Sequence, residues 1–318
     1  MAGDRRPRRV ASDARGDAGA ADGIPEPPPE RSRSDAAARG TARTFVRAST
    51  RALAVDATSL YYGNSDGDGI YAIAKSGGEP VRLARRAPVA GGIALEADSL
   101  AWVASPGDAV LRVGLQGGGQ PTTLRDRGIF SGVASAGRGV FITEAIGAGG
   151  ALLRVTGATA ARLATFEGAP RSVLADATHA YVITPTKVFR TPHVKGEFET
   201  IATGVAFASA QLDETHVYVV TEIDNVRVVA RTPKTGGALT VVASDVRDAP
   251  IAIEGGEVLF FDASRPQVRA VATGGGEPRV IFRDDSMAAP TAIAADSTSV
   301  FVATGARESG VILTAPRR

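Results

Sequence analysis

A short apolar run returns at near-constant spacing along most of this 318-residue chain. Its first residues are Leu60, Leu100, Val140, Ala180, Val217, Val258 and Val300, separated by 40, 40, 40, 37, 41 and 42 positions. Each is followed by a pair rich in aromatic or β-branched side chains: Tyr61-Tyr62, Ala101-Trp102, Phe141-Ile142, Tyr181-Val182, Tyr218-Val219, Leu259-Phe260 and Phe301-Val302. Such runs, bounded by turn residues, read as strands. Apolar side chains at successive positions leave neither face for water, so every sheet must be covered on both sides.

No long helical periodicity accompanies the repeat, and a period near 40 without one specifies blades of a β-propeller rather than a helical solenoid. Four strands fit each unit. In the first, an inner strand over Ala52 to Val55 precedes the marker strand Leu60 to Tyr62, and a third strand covers Ile70 to Ala74. The turn Gly77-Gly78-Glu79-Pro80 then leads to an outer strand, Val81 to Ala84. Later inner strands begin near Ile93, Val133, Val173, Gln211, Ile251 and Ala292; later outer strands centre on Leu124, Leu163, Ile201, Val242 and Ile281. Unit seven lacks an outer strand. The segment Thr44-Phe45-Val46-Arg47-Ala48 resembles the outer segment Pro80-Val81-Arg82-Leu83-Ala84 and is expected to supply it, pairing near Val311 to Thr314 and removing an exposed edge. The expected fold is all-β: a seven-bladed propeller of four-stranded antiparallel blades over residues 41–318, its last blade closed by an N-terminal strand. Trp102 is expected to be buried between blades.

Residues 1–40 differ in kind. They hold Arg5-Arg6-Pro7-Arg8-Arg9 and Pro25-Glu26-Pro27-Pro28-Pro29 with almost no large apolar side chain. So little burial cannot offset the entropy of ordering, and a disordered Arg/Ala/Pro-rich tail is expected. Arg5-Arg6 invites a twin-arginine reading, but no apolar core follows it. No signal peptide and no run of 18 apolar residues is present, so neither secretion nor a membrane span is read from the sequence itself.

Charge excludes one partner class. Basic and acidic residues number 36 and 34; eight Arg and seven acids fall in the first forty residues, leaving 28 against 27 in the repeats. The pI of about 9.1 is a small excess and not a basic face, which argues against nucleic acid. With no Cys, disulfides and thiolate metal sites are excluded.

Repetition also sorts the candidate sites. Four positions before the marker stand Asp56, Glu96, Asp176, Asp213, Glu254 and Asp296, with Ala136 the exception, and Thr58, Thr178, Thr215 and Thr298 follow two residues later. A ring of carboxylates suggests cations, but Asp and Thr also hydrogen-bond their own backbone in tight turns. A feature repeated in six of seven units points to that structural use. Arg112, Arg154, Arg190, Arg227 and Arg269 recur in third strands and are expected to pair with acids or carbonyls between blades. His179 and His216 precede their markers, where other units carry Ser, and read as turn residues; His193 follows Pro192 in a third-to-outer connection. No Ser-His-acid or metal-ligand spacing can be assembled, so no catalytic residue is nominated.

Asn64-Ser65-Asp66-Gly67-Asp68-Gly69 imitates the start of a calcium loop, although Lys75 stands where an EF-hand needs its twelfth-position Glu. Asp-Gly is equally an ordinary hairpin signal. Asn64, Asp66 and Asp68 are the one cofactor candidate, for calcium. The clusters Gly117 to Gly119 and Gly274 to Gly276 open no helix and read as hairpin turns, not nucleotide loops.

Strand direction puts the acid turns and the Gly-Gly turns on one face, and the second-to-third loops and the connections between blades on the other. The second set is irregular, and binding residues collect on variable loops of a rigid scaffold. The candidate binding residues are therefore Arg85, Arg86, Arg125, Asp126, Arg127, Arg247, Asp248, Arg283, Asp284 and Asp285, around the channel mouth. Only Phe130 and Phe166 offer aromatics near these loops, so a polar protein or peptide partner fits better than a sugar.

The units, with Leu60-Tyr61-Tyr62-Gly63-Asn64, Ile70-Tyr71 and Gly77-Gly78-Glu79-Pro80, resemble the YWTD-type repeats of receptor propellers. They resemble still more the TolB-like bacterial propellers whose units read I-A-x-D-x-x-x-V-Y-W-T-N before a Gly-Gly-x-P turn. The resemblance covers about residues 43–318 and departs in having a single Trp, Trp102, where the family repeats it. It implies fold rather than activity, and an extracytoplasmic location. The function expected is a non-catalytic, monomeric scaffold that binds a protein, peptide or surface polymer on its irregular face. The alternative is a metal-dependent lyase or hydrolase with its site at the channel mouth, because seven-bladed propellers include a streptogramin lyase that uses His and a metal. Its His and acids find no residue-by-residue counterparts here.

Overall fold

The computed structural model describes residues 41–317 apart from 65–68, 86–87, 138 and 306–308, with Ala288 described by its main chain only. Among the described residues, 28 strands form seven antiparallel sheets of four. Blade 1 holds β2 (Leu53–Val55), β3 (Ser59–Gly63), β4 (Gly69–Ala74) and β5 (Val81–Arg85). Blade 2 holds β6 (Val89–Leu95), β7 (Ser99–Ala104), β8 (Ala109–Gly114) and β9 (Thr122–Asp126); blade 3 holds β10 (Phe130–Ala136), β11 (Gly139–Ile146), β12 (Gly149–Thr156) and β13 (Thr159–Glu167). Blade 4 comprises β14 (Ser172–Ala175), β15 (His179–Ile183), β16 (Lys187–Pro192) and β17 (Glu199–Thr203). Blade 5 comprises β18 (Ala210–Leu212), β19 (His216–Ile223), β20 (Val226–Pro233) and β21 (Thr240–Ser244). In blade 6 are β22 (Ala252–Glu254), β23 (Glu257–Phe261), β24 (Gln267–Ala272) and β25 (Arg279–Arg283). Blade 7 takes β26 (Pro290–Ala295), β27 (Ser299–Thr304) and β28 (Val311–Pro316) from the end of the chain and β1 (Arg43–Val46) from its start.

The marker strands behave as their composition demands. Every residue of β7, Ser-Leu-Ala-Trp-Val-Ala, is buried, because each face meets a neighbouring blade. The buried side chains fall into seven clusters, one at each interface between successive blades. The cluster between blades 7 and 1 joins Ala292, Phe301 and Ile312 to Leu60, Tyr62 and Ile73, so the ring closes on itself. Closure rests on β1: Arg43, Thr44 and Val46 pair with Thr314, Leu313 and Ile312. Phe45 packs edge-on against Phe301 with ring centroids 5.2 Å apart.

Near the axis the inner strands crowd one another. A Cβ at Gly132 would meet Val173 N at 3.0 Å and Ser172 Cα at 3.1 Å, on the next blade's inner strand. A small residue is needed at such a close approach. Away from the axis, the third-to-outer turns use left-handed glycines such as Gly77 and Gly78, at φ 94° and 116°.

Arginines tie blades together, though not as their sequence spacing suggests. Phe141, Tyr181 and Tyr218 lie opposite Arg154, Arg190 and Arg231. These three donate to main-chain carbonyls of the next blade: His193 O at 3.0 Å, Lys234 O at 2.7 Å and Thr273 O at 2.8 Å. Arg227 is not the fourth member. It lies opposite Glu222 at the tip of a longer hairpin and donates to Ala206 O at 3.2 Å. Arg112 forks onto Glu96 of its own blade at 2.8 and 3.0 Å, and Arg269 meets Asp262 of its own blade at 3.3 Å. Hairpins of different length shift the equivalent position by several residues, which marker spacing alone does not register.

In three blades the residue after the third strand crosses the other way. Lys75 of blade 1 reaches Asp296 of blade 7 at 2.7 Å, and Lys234 of blade 5 reaches Asp176 of blade 4 at 2.7 Å. Arg317 of blade 7 reaches Glu257 of blade 6 at 3.1 Å. His193 holds the matching place in blade 4, where blade 3 offers Ala136 and no acid. Its ring lies tilted against Phe141 with centroids 4.4 Å apart, Nε2 is buried without a hydrogen-bond partner, and burial lowers its pKa.

These links give the protein an acid limit. Burial alone would raise the Asp296 carboxyl, but donors from Lys75, Thr298 and Ser299 outweigh it and bring it down from 3.8 to about 2. A carboxyl lowered in the folded state stabilises fully above its unfolded pKa and loses that contribution as pH falls toward the folded value. Stability should be level from neutrality to about pH 5 and fall steeply between about pH 4 and 2. Lys75→Met should flatten that fall in denaturant melts taken across the range; an unchanged slope would contradict the link.

Candidate functional site

The two faces of the ring use their polar residues differently. On the turn face, Asp56 Oδ1 accepts from Thr58 N and Ser59 N at 2.7 Å each and from Thr58 Oγ1 at 3.1 Å, while the Tyr61 hydroxyl donates to Oδ2 at 2.7 Å. Burial and that carboxylate push the Tyr61 phenol up to about 12. Asp176 and Asp213 repeat the turn with Tyr181 and Tyr218. Asp296 repeats it with Lys75 in place of the Tyr. Glu96 is taken by Arg112, and Glu254 leads a turn made by left-handed Gly255 and Gly256. The repeated acids thus close turns and link blades. Among the described residues no three His, Asp or Glu side chains are placed to hold a metal ion. His179 and His216 sit at strand starts with Nδ1 on the neighbouring Thr hydroxyls at 2.8 and 2.7 Å.

On the loop face the central channel opens as a cavity of about 540 Å³, lined by the beginnings of the inner strands and the residues just before them in all seven blades. Its charged lining residues are Arg51, Arg171 and Asp248; Gln211, Ser131, Ser172 and Ser209 add polar groups. The sequence-nominated residues that are described lie on this face but are dispersed. Arg85 ends β5, Arg125 and Asp126 end β9 with Arg127 beyond them, Arg247 and Asp248 link blades 5 and 6, and Arg283 to Asp285 link blades 6 and 7. Of those described, Asp248 alone lines the channel, with Arg227 3.7 Å away. Arg283 donates to Gln267 Oε1 at 2.7 Å, and Asp284 caps a short 3-10 turn, Asp285–Ala288, by accepting from Ser286 N at 2.9 Å. Arg86, Asp66, Asp68 and residues 1–40 lie outside the described residues; Asn64 donates its N–H to Gly69 O at 3.0 Å, across the hairpin loop.

Arg51 and Arg171 escaped the sequence reading, although a signal existed. Each stands nine residues before its marker, where the other five units carry Gly91, Ser131, Ala208, Ala249 and Thr291. Two large cations at a position otherwise kept small mark the channel. Phe130 and Phe166, the two aromatics near these loops, are 4 % and 8 % exposed and belong to inter-blade cores, so they offer no stacking platform.

Relief and strain also concentrate on the loop face. The β11–β12 and β19–β20 hairpins have eight-residue strands, against five and six in the β15–β16 hairpin between them. Their tips expose Ile146 and Val226, with Ile129 and Val205 exposed beside them. The five non-glycine residues with left-handed φ among those described are Arg127, Ala206, Asp224, Asn225 and Asp245. All five are on this face, in its connections and at one hairpin tip.

The architecture defines the chain as a seven-bladed β-propeller, and comparison with solved structures agrees. A streptogramin B lyase matches with a TM-score of 0.65 at 11% identity, over 87% of this chain and 98% of that one. Virginiamycin B lyase from Staphylococcus aureus matches with 0.64 at 12%, over 87% and 99%. YCF48 bound to D1 peptide matches with 0.60 at 12%, over 87% and 94%. At such identities the likeness is one of fold. No family model and no curated protein matches the sequence. Among the described residues no helix is long and apolar enough to cross a membrane.

Proposed function

We propose that this propeller is a non-catalytic scaffold whose loop face takes a protein or peptide, or a surface polymer, around the channel mouth. One observation carries the reading: strained non-glycine backbone collects on the loop face, whereas the turn face relieves the same geometry with glycine. A left-handed Ala or Arg costs energy that glycine would spare, so its retention points to a use for those side chains and loops. Apolar tips at Ile146 and Val226 beside mixed charges supply the chemistry of a polypeptide interface. The YCF48 structure, solved with a peptide bound, is the precedent for a peptide arm in the test. The Asp-x-Thr turns and Gly-Gly turns support placing the repeats with YWTD- and TolB-like units, whose members imply an extracytoplasmic scaffold.

The lyase alternative needs an imidazole and acids together at the mouth. Among the described residues the channel lining holds one carboxylate, Asp248, and no His, so those residues do not fit such a centre.

Selection of a displayed peptide library on the immobilised protein tests the proposal. Enriched peptides should lose binding, by about tenfold or more, to Arg125→Glu/Asp285→Lys and should keep it with Lys195→Glu on the turn face. Peptides indifferent to the loop-face reversal, or no enrichment at all, would overturn it.

A further inference from the structure

The channel mouth carries charge that the fold does not use. Arg51 and Arg171 project from corresponding positions three blades apart in the ring, and both line the cavity. Neither has an ion pair among the described residues. The one carboxylate in the lining among the described residues, Asp248, has the Arg227 guanidinium 3.7 Å away. Among the described residues, the two guanidiniums of the mouth are left without an ion-pair partner. Beside Arg171, Ser172 lines the same cavity, and its hydroxyl oxygen is buried without a hydrogen-bond partner.

The surroundings favour a small anion over a second protein side chain packed flat. Inner strands are the terminal strands of their sheets, so their edges face the axis without a further strand beside them. Residues at the narrowest approach are small, Gly92, Gly132 and Ala292 among them, which leaves the cavity open. Its volume of about 540 Å³ lies within the range of small-molecule sites. Guanidinium matches carboxylate geometry through paired N–H donors, and a buried hydroxyl gains what it lacks by donating to the same oxygen. Cations that repel one another across a cavity gain most from a ligand with two negative groups.

We infer that the channel mouth is a carboxylate-binding site in which Arg51 and Arg171 clamp a ligand bearing two or more carboxyl groups and Ser172 donates to it. The ligand is either a free polycarboxylate or the acidic end of a polypeptide, which share this chemistry. The inference deepens the loop-face reading by naming what its centre recognises, and it stands separately in the test.

The test is calorimetric titration of the full chain with citrate, with its triamide, and with an acidic hexapeptide in free-acid and C-terminal amide forms. Citrate should bind and the triamide should not, with affinity falling as salt rises. Arg171→Gln and Arg51→Gln should each weaken citrate binding at least tenfold, and Ser172→Ala by a few fold, while Arg82→Gln on an outer strand leaves it unchanged. All these arginines are exposed, and a thermal melt checks that each variant folds. Tighter binding of the free-acid hexapeptide than of citrate identifies a polypeptide source; the reverse identifies a free polycarboxylate. No binding of any carboxylate, or binding indifferent to both Arg51→Gln and Arg171→Gln, would overturn the inference. Citrate binding that survives Arg125→Glu/Asp285→Lys supports the clamp even where the loop-face reading fails.

Discussion

Trp102→Ala should destabilise the protein by about 3–5 kcal/mol, the cost of emptying a large aromatic site in a packed core. Trp102 is 0 % exposed and sits in the interface between blades 1 and 2, against Tyr61, Ile70, Leu83 and Ala84 on one side and Leu100, Ala104 and Val113 on its own. The interface is formed by two sheets that are each held by their own hydrogen bonds, so neither collapses easily into the void. Trp102→Phe separates volume from polarity. The indole Nε1 is buried without a partner, so Phe removes an unpaired donor together with the five-membered ring while the six-membered ring's volume stays. That variant should cost less than half as much. Equilibrium denaturation in guanidinium provides both numbers, and a midpoint for Trp102→Ala close to that of the parent would show that the interface is not packed as described.

Deleting residues 41–49 should injure one blade far more than the rest. The deletion removes the outer strand of blade 7, the Phe45–Phe301 contact, and Val46 and Ala48 from the core between blades 7 and 1. It also bares the edge of β28, whose unpaired groups become a template for another chain. Cleavage by a non-specific protease should rise by about an order of magnitude within residues 290–316, while blades 2 to 5 stay protected. The truncated protein should also associate at concentrations where the parent does not. Nicking spread evenly around the ring would mean that closure by β1 adds little.

Much of this architecture was legible in the residues because repetition averages out local ambiguity. A pair such as Leu259-Phe260 says little alone, but seven of them at one spacing fix the blade number, the strand order and the need for a closing strand. The buried position of Trp102 followed from the same count. What escaped depended on length differences inside units. The Arg227 and Arg231 positions exchange roles because the blade 5 hairpin is longer than that of blade 4, and only pairing register reveals it. The site was legible as a face and not as residues. Strand direction placed the loops, yet the nominated side chains are spread over several connections, and some close turns. Arg51 and Arg171 were overlooked because inner strands read as plain scaffold when charge is sought in loops; their register against five small residues carried the signal.

Everything placed on the loop face depends on the ring being shut by the two ends of the chain. With no cysteine in the parent, Arg43→Cys/Thr314→Cys puts one pair of thiols on residues that face each other across β1 and β28. Oxidation at low protein concentration should yield a monomeric, internally cross-linked chain that migrates anomalously before reduction and melts higher than its reduced form. Thiols that stay free, or that join only between molecules, would contradict the closed seven-bladed ring.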